Sequence, residues 1–208
     1  MIDNPVRGRF NAWFLTVLDG YMHWKYADIK SPLFRQAPPI VVELGSGSGA
    51  NLRYLPRGTR LIAIEPNRHM HSVLRRRAKQ CGIDLDLRAL AGEKLDLPSA
   101  SVDFVFSSLV LCSVENPEQV IAEVRRVLRP GGRFVCIEHV VAPIGSAIHG
   151  FQRMIKRPWQ WAFEGCDLCR DTGATLRSSG FSLIDVRPFE LPTIFVPIRH
   201  QIAAICVN

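Results

Sequence analysis

The sequence predicts a doubly wound α/β fold, a mostly parallel sheet with helices on both faces. Three observations carry that prediction. Buried-strand patterns alternate with helical ones along the 208 residues, as parallel strands joined by helical crossovers require. A glycine-rich turn, Gly45-Ser46-Gly47-Ser48-Gly49, follows the first strand pattern directly. The last two strand patterns have no helix between them and so pair as a hairpin, which puts one antiparallel strand into the sheet.

Taken in order, Phe10, Trp13, Phe14, Val17, Leu18 and Tyr21 recur at the spacing of one helix face. That face suits packing on the body of the protein, closure over a pocket, or contact with a membrane surface. Ile40–Leu44 reads as a buried strand, and a helix is expected from about Ala50. Leu61–Ile64 is a second buried strand ending at Glu65-Pro66, and residues 67–80 are helical with Gly82 as the stop. Asp84–Ala89 alternates as a third strand, and Val102–Phe106 is a fourth. Pro117 opens a helix, where its missing N–H has no partner to lose, and the helix ends before Pro130-Gly131-Gly132. Arg133–Glu138 is a fifth strand, and 141–168 is irregular and rich in aromatics. Thr172–Ser179 is helical with Gly180 as the stop, and the hairpin strands are Ser182–Arg187 and Gln201–Val207.

The composition, 47% apolar and 22% charged, fits a folded domain and argues against disorder. A net charge of +7 admits nucleic acid or an anionic membrane as a partner. The densest run, Arg75-Arg76-Arg77 with Lys79, lies in a predicted helix where the arginines cannot share one face, which favours a solvated surface. No secretory signal and no apolar run of 18 to 20 residues is read, so the expectation is a cytoplasmic protein without a membrane span. Cys136 and Cys206 sit in strand-like runs as buried thiols, and Cys166 and Cys169 form a lone CxxC. With no second pair beside that CxxC, no metal site is expected.

The turn at 45–49 lets the backbone bend sharply and approach a ligand at the carboxyl ends of the strands. A dinucleotide fingerprint puts its last glycine at 50, where Ala50 stands, a residue that position tolerates, so that reading is disfavoured and not excluded; no Gly-Lys-Ser/Thr follows, which excludes a P-loop. Glu65, ending the second strand, can accept hydrogen bonds from ribose hydroxyls. Gly92-Glu93 after strand three suits the flank of an adenine ring, and Ser107-Ser108-Leu109 after strand four faces the reacting end of a bound cofactor.

The order Glu43-Leu44-Gly45-Ser46-Gly47-Ser48-Gly49, Glu65-Pro66, Gly92-Glu93 and Leu128-Arg129-Pro130-Gly131-Gly132 resembles the class I methyltransferases. The resemblance implies a Rossmann-like seven-stranded sheet in the order 3-2-1-4-5-7-6, with strand seven antiparallel. It also implies S-adenosyl-L-methionine as cofactor and S-adenosyl-L-homocysteine as product. The implied cofactor set is Glu43, Gly45, Ser46, Gly47, Gly49, Asn51, Glu65, Pro66, Gly92, Glu93, Ser107, Ser108 and Leu109. A closer resemblance, from about Lys30 to the end, is to the methyltransferase-like 7 family of alkyl thiol methyltransferases. Glu43 to Asn51, Leu109 to Val114, Glu138-His139-Val140 and Gly165 to Thr172 carry it. The chain departs from that family in Ser46 for a cysteine, Glu65 for an aspartate, and the lack of a long hydrophobic amino-terminal anchor. One domain is expected: a helical lid (1–35), a cofactor-binding core (36–140) and a substrate-side segment with the hairpin (141–208).

Methyl transfer from a sulfonium needs the acceptor positioned and water excluded. Strand alternation points Glu138 and His139 to opposite faces, and His139 is the candidate for orienting or deprotonating a small-molecule acceptor, against a purely structural strand-end role. Arg170 is a candidate for stabilising an anionic acceptor, against an ion pair with Asp167 or Asp171. Tyr21, His23, Trp159 and Trp161 are candidates for the substrate-side lid, against ordinary packing. Thiol S-methylation is the first reading. N- or O-methylation of a phospholipid or quinone-like molecule, nucleic-acid methylation, and cofactor binding without turnover are the alternatives. Nucleic acid is disfavoured because the segment after strand four reads Ser107-Ser108-Leu109-Val110, not Asn/Asp-Pro-Pro-Tyr/Phe.

Overall fold

A computed structural model describes residues 5–35 and 37–208. Their strands are β1 (Ile40–Leu44), β2 (Arg60–Ile64), β3 (Asp84–Arg88), β4 (Val102–Ser108), β5 (Leu128–His139), β6 (Leu183–Glu190) and β7 (His200–Val207). They form one sheet in the order β3-β2-β1-β4-β5-β7-β6. All pairings from β3 to β5 are parallel, and β7 runs antiparallel to both β5 and β6. The expected order and the expected antiparallel strand are both present.

The helices are α1 (Pro5–Phe34), α2 (His71–Cys81), α3 (Pro117–Val127), α4 (Ala147–Ala162) and α5 (Thr172–Arg177). Alternation along β1 divides the core in two. Val42 and Leu44 join Ile62, Ile64 and the inner stripe of α3 on one face. Val41 joins Leu61, Phe106, Leu74 of α2 and Phe34 of α1 on the other. Apolar burial on both faces is what a parallel sheet requires. Gly82 ends α2 in the left-handed conformation with φ +68°, where glycine avoids the Cβ penalty.

Three expectations need correction. No α-helix begins at Ala50; turns and a short 3-10 segment, Leu52–Tyr54, stand there instead. Leu55 precedes Pro56 and is extended, so the helix cannot propagate. Residues 147–162, expected to be irregular, form α4, whose start is capped by Ser146 Oγ accepting from the His149 N–H at 3.1 Å. Pro158, a helix breaker in the sequence, stands inside α4, which ends soon after it at Ala162. Third, the buried face of α1 differs from the one read by periodicity. Trp13 and Val17 are each 62% exposed. The inward stripe is Arg7, Asn11, Phe14, Leu18 and Met22.

Polar bonds set that rotation. Asn11 donates to the Ala162 carbonyl at 2.9 Å, and Asn67 donates to the Gly8 carbonyl at 3.1 Å. Farther along, the buried Lys30 donates to Asn51 Oδ1 at 2.7 Å, and Asn51 donates to the buried Glu43 carboxylate at 2.7 Å. This relay fixes the carboxyl half of α1 against the end of β1.

Candidate active site

The carboxyl ends of β1 to β5 open into one cavity of about 500 Å³, roofed by α1, the end of α4 and the loop between β6 and β7. That size lies within the usual range for small-molecule sites. Phe14, Leu18, Met22, Phe163, Phe195 and Ile198 supply an apolar roof.

Beneath them the strand order lays the polar groups out in sequence. Gly92 and Glu93 follow β3, Glu65 and Pro66 follow β2, Gly45 and Gly47 follow β1, Leu109 follows β4 and His139 ends β5; all line the cavity. From β2 to β5 is three strand spacings, roughly 14 Å.

The glycine turn is built for close approach. Gly45 has φ +59°, and a Cβ there would meet Val110 Cγ2 at 2.5 Å. Gly47 has φ +54° but faces open space. Its N–H donates to Glu65 Oε2 at 2.7 Å, while the Asn67 N–H donates to Glu65 Oε1 at 2.7 Å. Burial pushes the Glu65 carboxyl up, and those two N–H donors pull it back. A carboxylate has about four acceptor directions, so Glu65 retains capacity toward the cavity.

Glu164 also lines the cavity, at φ +51°, and accepts from Asn67 Nδ2 at 2.9 Å. Burial first, and then the neighbouring Glu65 carboxylate, lift its pKa to about 7.

At the other end, Glu138 is fully buried and its carboxylate accepts from the N–H groups of Val110 at 2.9 Å, Leu111 at 3.1 Å and Cys112 at 3.3 Å. These bonds hold the turn after β4, which starts at Leu109 with φ +60°. A non-glycine residue in that region is strained and persists only where its surroundings fix it. The turn in turn carries Cys112.

Segment 165–170 is stitched to the same turn. Asp167 N–H donates to the Cys112 carbonyl at 2.8 Å, and Arg170 donates to the carbonyls of Leu111 and Val114. Cys112, His139 and Cys166 thereby converge. His139 Nε2 lies 3.0 Å from Cys166 Sγ, the two sulfurs lie 3.7 Å apart, and Trp159 Nε1–H donates to Cys166 Sγ at 3.2 Å. The Cys112 hydrogen bond holds the Cys166 thiol below its ordinary range; burial opposes it and Trp159 assists.

A methyltransferase-domain family model matches residues 42–136. Human thiol S-methyltransferase TMT1A is 34% identical, covering 96% of this chain and 84% of that protein. Human thiol S-methyltransferase TMT1B is 33% identical, covering 95% and 86%. The chain belongs to the methyltransferase-like 7 family. It is an S-adenosylmethionine-dependent methyltransferase. The fold agrees with a SAM-dependent methyltransferase structure from Thermotoga maritima, at a TM-score of 0.65, 17% identity and coverage of 93% of this chain and 92% of that one.

Of the residues singled out in this methyltransferase's sequence, Gly45, Gly47, Glu65, Pro66, Gly92, Glu93, Leu109, His139, Trp159 and Arg170 line the cavity. Glu43, Ser46, Gly49, Asn51 and Ser107 are buried and not among its lining residues, and Ser108 does not line it either. Gly49 packs on Leu52 and Leu74, where a Cβ would be 2.9 Å from Leu52 Cδ1. Ser107 Oγ lies 3.4 Å from Glu138 Oε1.

Tyr21 is spent on the loop at 193–194, accepting from the Ile194 N–H and donating to Thr193 Oγ1. His23 is exposed and bonds Tyr54, and Trp161 is 67% exposed. Arg170 Nη1 donates to two carbonyls, the residue also lines the cavity, and among the described residues it forms no ion pair with Asp167 or Asp171. Cys166 meets Cys112 and His139, not Cys169 of the CxxC. Sequence reading missed the roles of Lys30, Asn67, Cys112 and Glu164. It placed Glu138 and His139 on opposite faces correctly; His139 alone of the two lines the cavity.

Two outcomes follow. Glu138→Ala strands three buried N–H groups and is expected to cost at least about 3 kcal/mol, with Glu138→Gln costing less because one acceptor oxygen remains. Urea unfolding midpoints at constant slope measure both. Glu164, with its folded pKa raised to about 7 from an ordinary 4.5, binds more protons folded than unfolded between those values. Stability therefore falls as pH rises across that window, and Glu164→Gln flattens that slope in melts at pH 5 and pH 7.5.

Proposed function

We propose that this methyltransferase transfers the methyl group of S-adenosylmethionine to the sulfur of a small, apolar thiol. The observation that carries the reading is the gathering of Cys112, His139 and Cys166 at the β4–β5 end of a cavity whose β2 end bears Glu65. The human relatives named thiol S-methyltransferases support it.

The site fits the cofactor. A turn that excludes side chains at Gly45, an open approach at Gly47 and a carboxylate with spare acceptor capacity suit an adenosyl group along β1 to β3. Glu65 accepts the ribose hydroxyls, Gly45 and Gly47 bring their backbone against the methionine portion, and Pro66, Gly92 and Glu93 flank the adenine. Bound there, S-adenosylmethionine supplies a methyl group already activated by its sulfonium. What remains for the protein is to position the acceptor sulfur, take up or release its proton, and keep water out. The apolar roof excludes water, and α1 acts as the lid. His139 and the two cysteines are the groups placed to stabilise the acceptor as its thiolate, the form that attacks.

Against the nucleic-acid reading stands the use of several arginines within the fold, although Arg75, Arg76 and Lys79 are exposed. Arg77 pairs with Asp19 and Ser48, Arg126 with Glu123, and Arg125 and Arg170 with backbone carbonyls. Among the described residues no helix is long and apolar enough to cross a membrane. The exposed Phe10, Trp13 and Val17 of α1 are the face we assign to any peripheral membrane contact. Six free cysteines suit a reducing compartment, so the cytoplasm is the location we propose.

A panel of small alkyl thiols, phenols and amines, incubated with the enzyme and labelled cofactor, tests the acceptor. Methylation of thiols is expected, and turnover of phenols or amines with none of thiols overturns the reading. Glu65→Ala is expected to weaken cofactor binding by about 1.5–3 kcal/mol in calorimetry through lost charged hydrogen bonds. An unchanged dissociation constant removes Glu65 from the ribose.

A further inference from the structure

We propose that Cys112, His139 and Cys166 bind a zinc ion whose fourth coordination position opens into the cavity. The identity of the fourth ligand, an acceptor thiol, rests on the function proposed above; the metal site rests on this chain's geometry alone.

The three ligand atoms lie within 4.8 Å of one another, on three buried residues. In tetrahedral zinc with Zn–S near 2.3 Å, two thiolates stand about 3.8 Å apart. The Cys112 and Cys166 sulfurs stand 3.7 Å apart. A disulfide would need about 2.05 Å, so this separation matches a metal edge and not an S–S bond. His139 Nε2, at 3.0 Å from Cys166 Sγ, needs to move out by only several tenths of an ångström. Two cysteines and one histidine are a donor set that zinc takes where an open position serves catalysis.

The surroundings support the two cysteine ligands, while His139 Nδ1 is buried without a hydrogen-bond partner. Trp159 Nε1–H donates to Cys166 Sγ, as an outer-shell donor does to a coordinated thiolate. Cys112 is fixed from both sides, its N–H held by Glu138 and its carbonyl by the Asp167 N–H. His139 is fixed by its place at the end of β5, paired with Gln201 of β7. Ligands from three separate elements are thus held in place by contacts that need no ion. All three residues also line the cavity, so the open position faces the space for the acceptor.

A thiol entering that position loses its proton to solvent and binds as thiolate, since a metal-coordinated thiol is deprotonated outright. A sulfur lone pair then forms the new S–C bond to the methyl group. The methyl–sulfonium bond breaks with its electron pair returning to the cofactor sulfur. The products are a thioether and S-adenosylhomocysteine, and zinc stays Zn²⁺ throughout. The neutral thioether is the poorer ligand and leaves.

The test uses the full chain purified without chelators. Elemental analysis is expected to find about one zinc per chain, the stoichiometry of a single four-coordinate site. Replacing zinc by cobalt(II) is expected to give tetrahedral visible bands and sulfur-to-cobalt charge-transfer bands. The charge-transfer bands gain intensity on adding an alkyl thiol and not on adding its methyl thioether. Cys112→Ser and Cys166→Ser, checked for folding by circular dichroism and for cofactor binding by calorimetry, are expected to weaken cobalt binding at least tenfold. If a serine variant fails to fold, the cobalt spectrum of the native chain decides. Folded, cofactor-binding native protein that takes up neither metal overturns the proposal, as does undiminished cobalt binding in both serine variants. Thiol methylation by demonstrably metal-free enzyme overturns the zinc and leaves the acceptor standing. A cobalt spectrum that answers to thiol, with no thiol methylated, overturns the acceptor and leaves the metal site.

Discussion

The buried carboxylate of Glu138 is the constraint on which the reacting end of this molecule depends. Three consecutive backbone N–H groups converge on it, and each would carry a desolvation penalty if left alone. Their convergence sets the turn after β4, with Leu109 in a conformation that only such support sustains. That turn delivers Cys112 to His139 and presents the carbonyls that Asp167 and Arg170 grip. One acid at the end of β5 thereby positions groups from three distant stretches of chain, without touching the cavity itself.

At the opposite end the logic is similar but the acid is exposed to the cavity. Glu65 anchors the glycine turn through Gly47 and the start of the next segment through Asn67, and still lines the open space. Glu43 takes the hidden part, held by Asn51 and Lys30 under the sheet end. Of these two motif acids, one faces the cavity and one serves the scaffold. The division follows from burial depth: Glu43 is fully covered by strands on both sides, whereas Glu65 sits one residue past the end of its strand.

The fold was largely legible because its signals are local. Apolar runs bounded by glycines and prolines mark β1 and β2, and Gly82 and Pro117 mark the edges of α2 and α3. The glycine-turn end of the cavity was legible for the same reason: the turn at 45–49 and Glu65 are defined by their place next to a strand. The acceptor end was not. Cys112, His139 and Cys166 are far apart in the chain and share no spacing rule, and Cys166 was masked by a nearer, irrelevant partner in Cys169. The inward stripe of α1 escaped because apolar residues surround its amino half. Its rotation is decided by Asn11 and Asn67 reaching backbone carbonyls, a long-range pairing that periodicity does not encode.

That helix is fastened unequally along its length. Its carboxyl half is cemented by Phe34 and Tyr26 in the apolar interior. Its amino half is attached to the far wall through amide and guanidinium groups on carbonyl oxygens, with Phe14 packed against Phe163 and Phe195. Water can replace such bonds at a net cost of about 1 kcal/mol each, but it cannot replace buried aromatic contacts. The polar fastenings of the first turns are therefore the part of the helix that solvent takes over most readily.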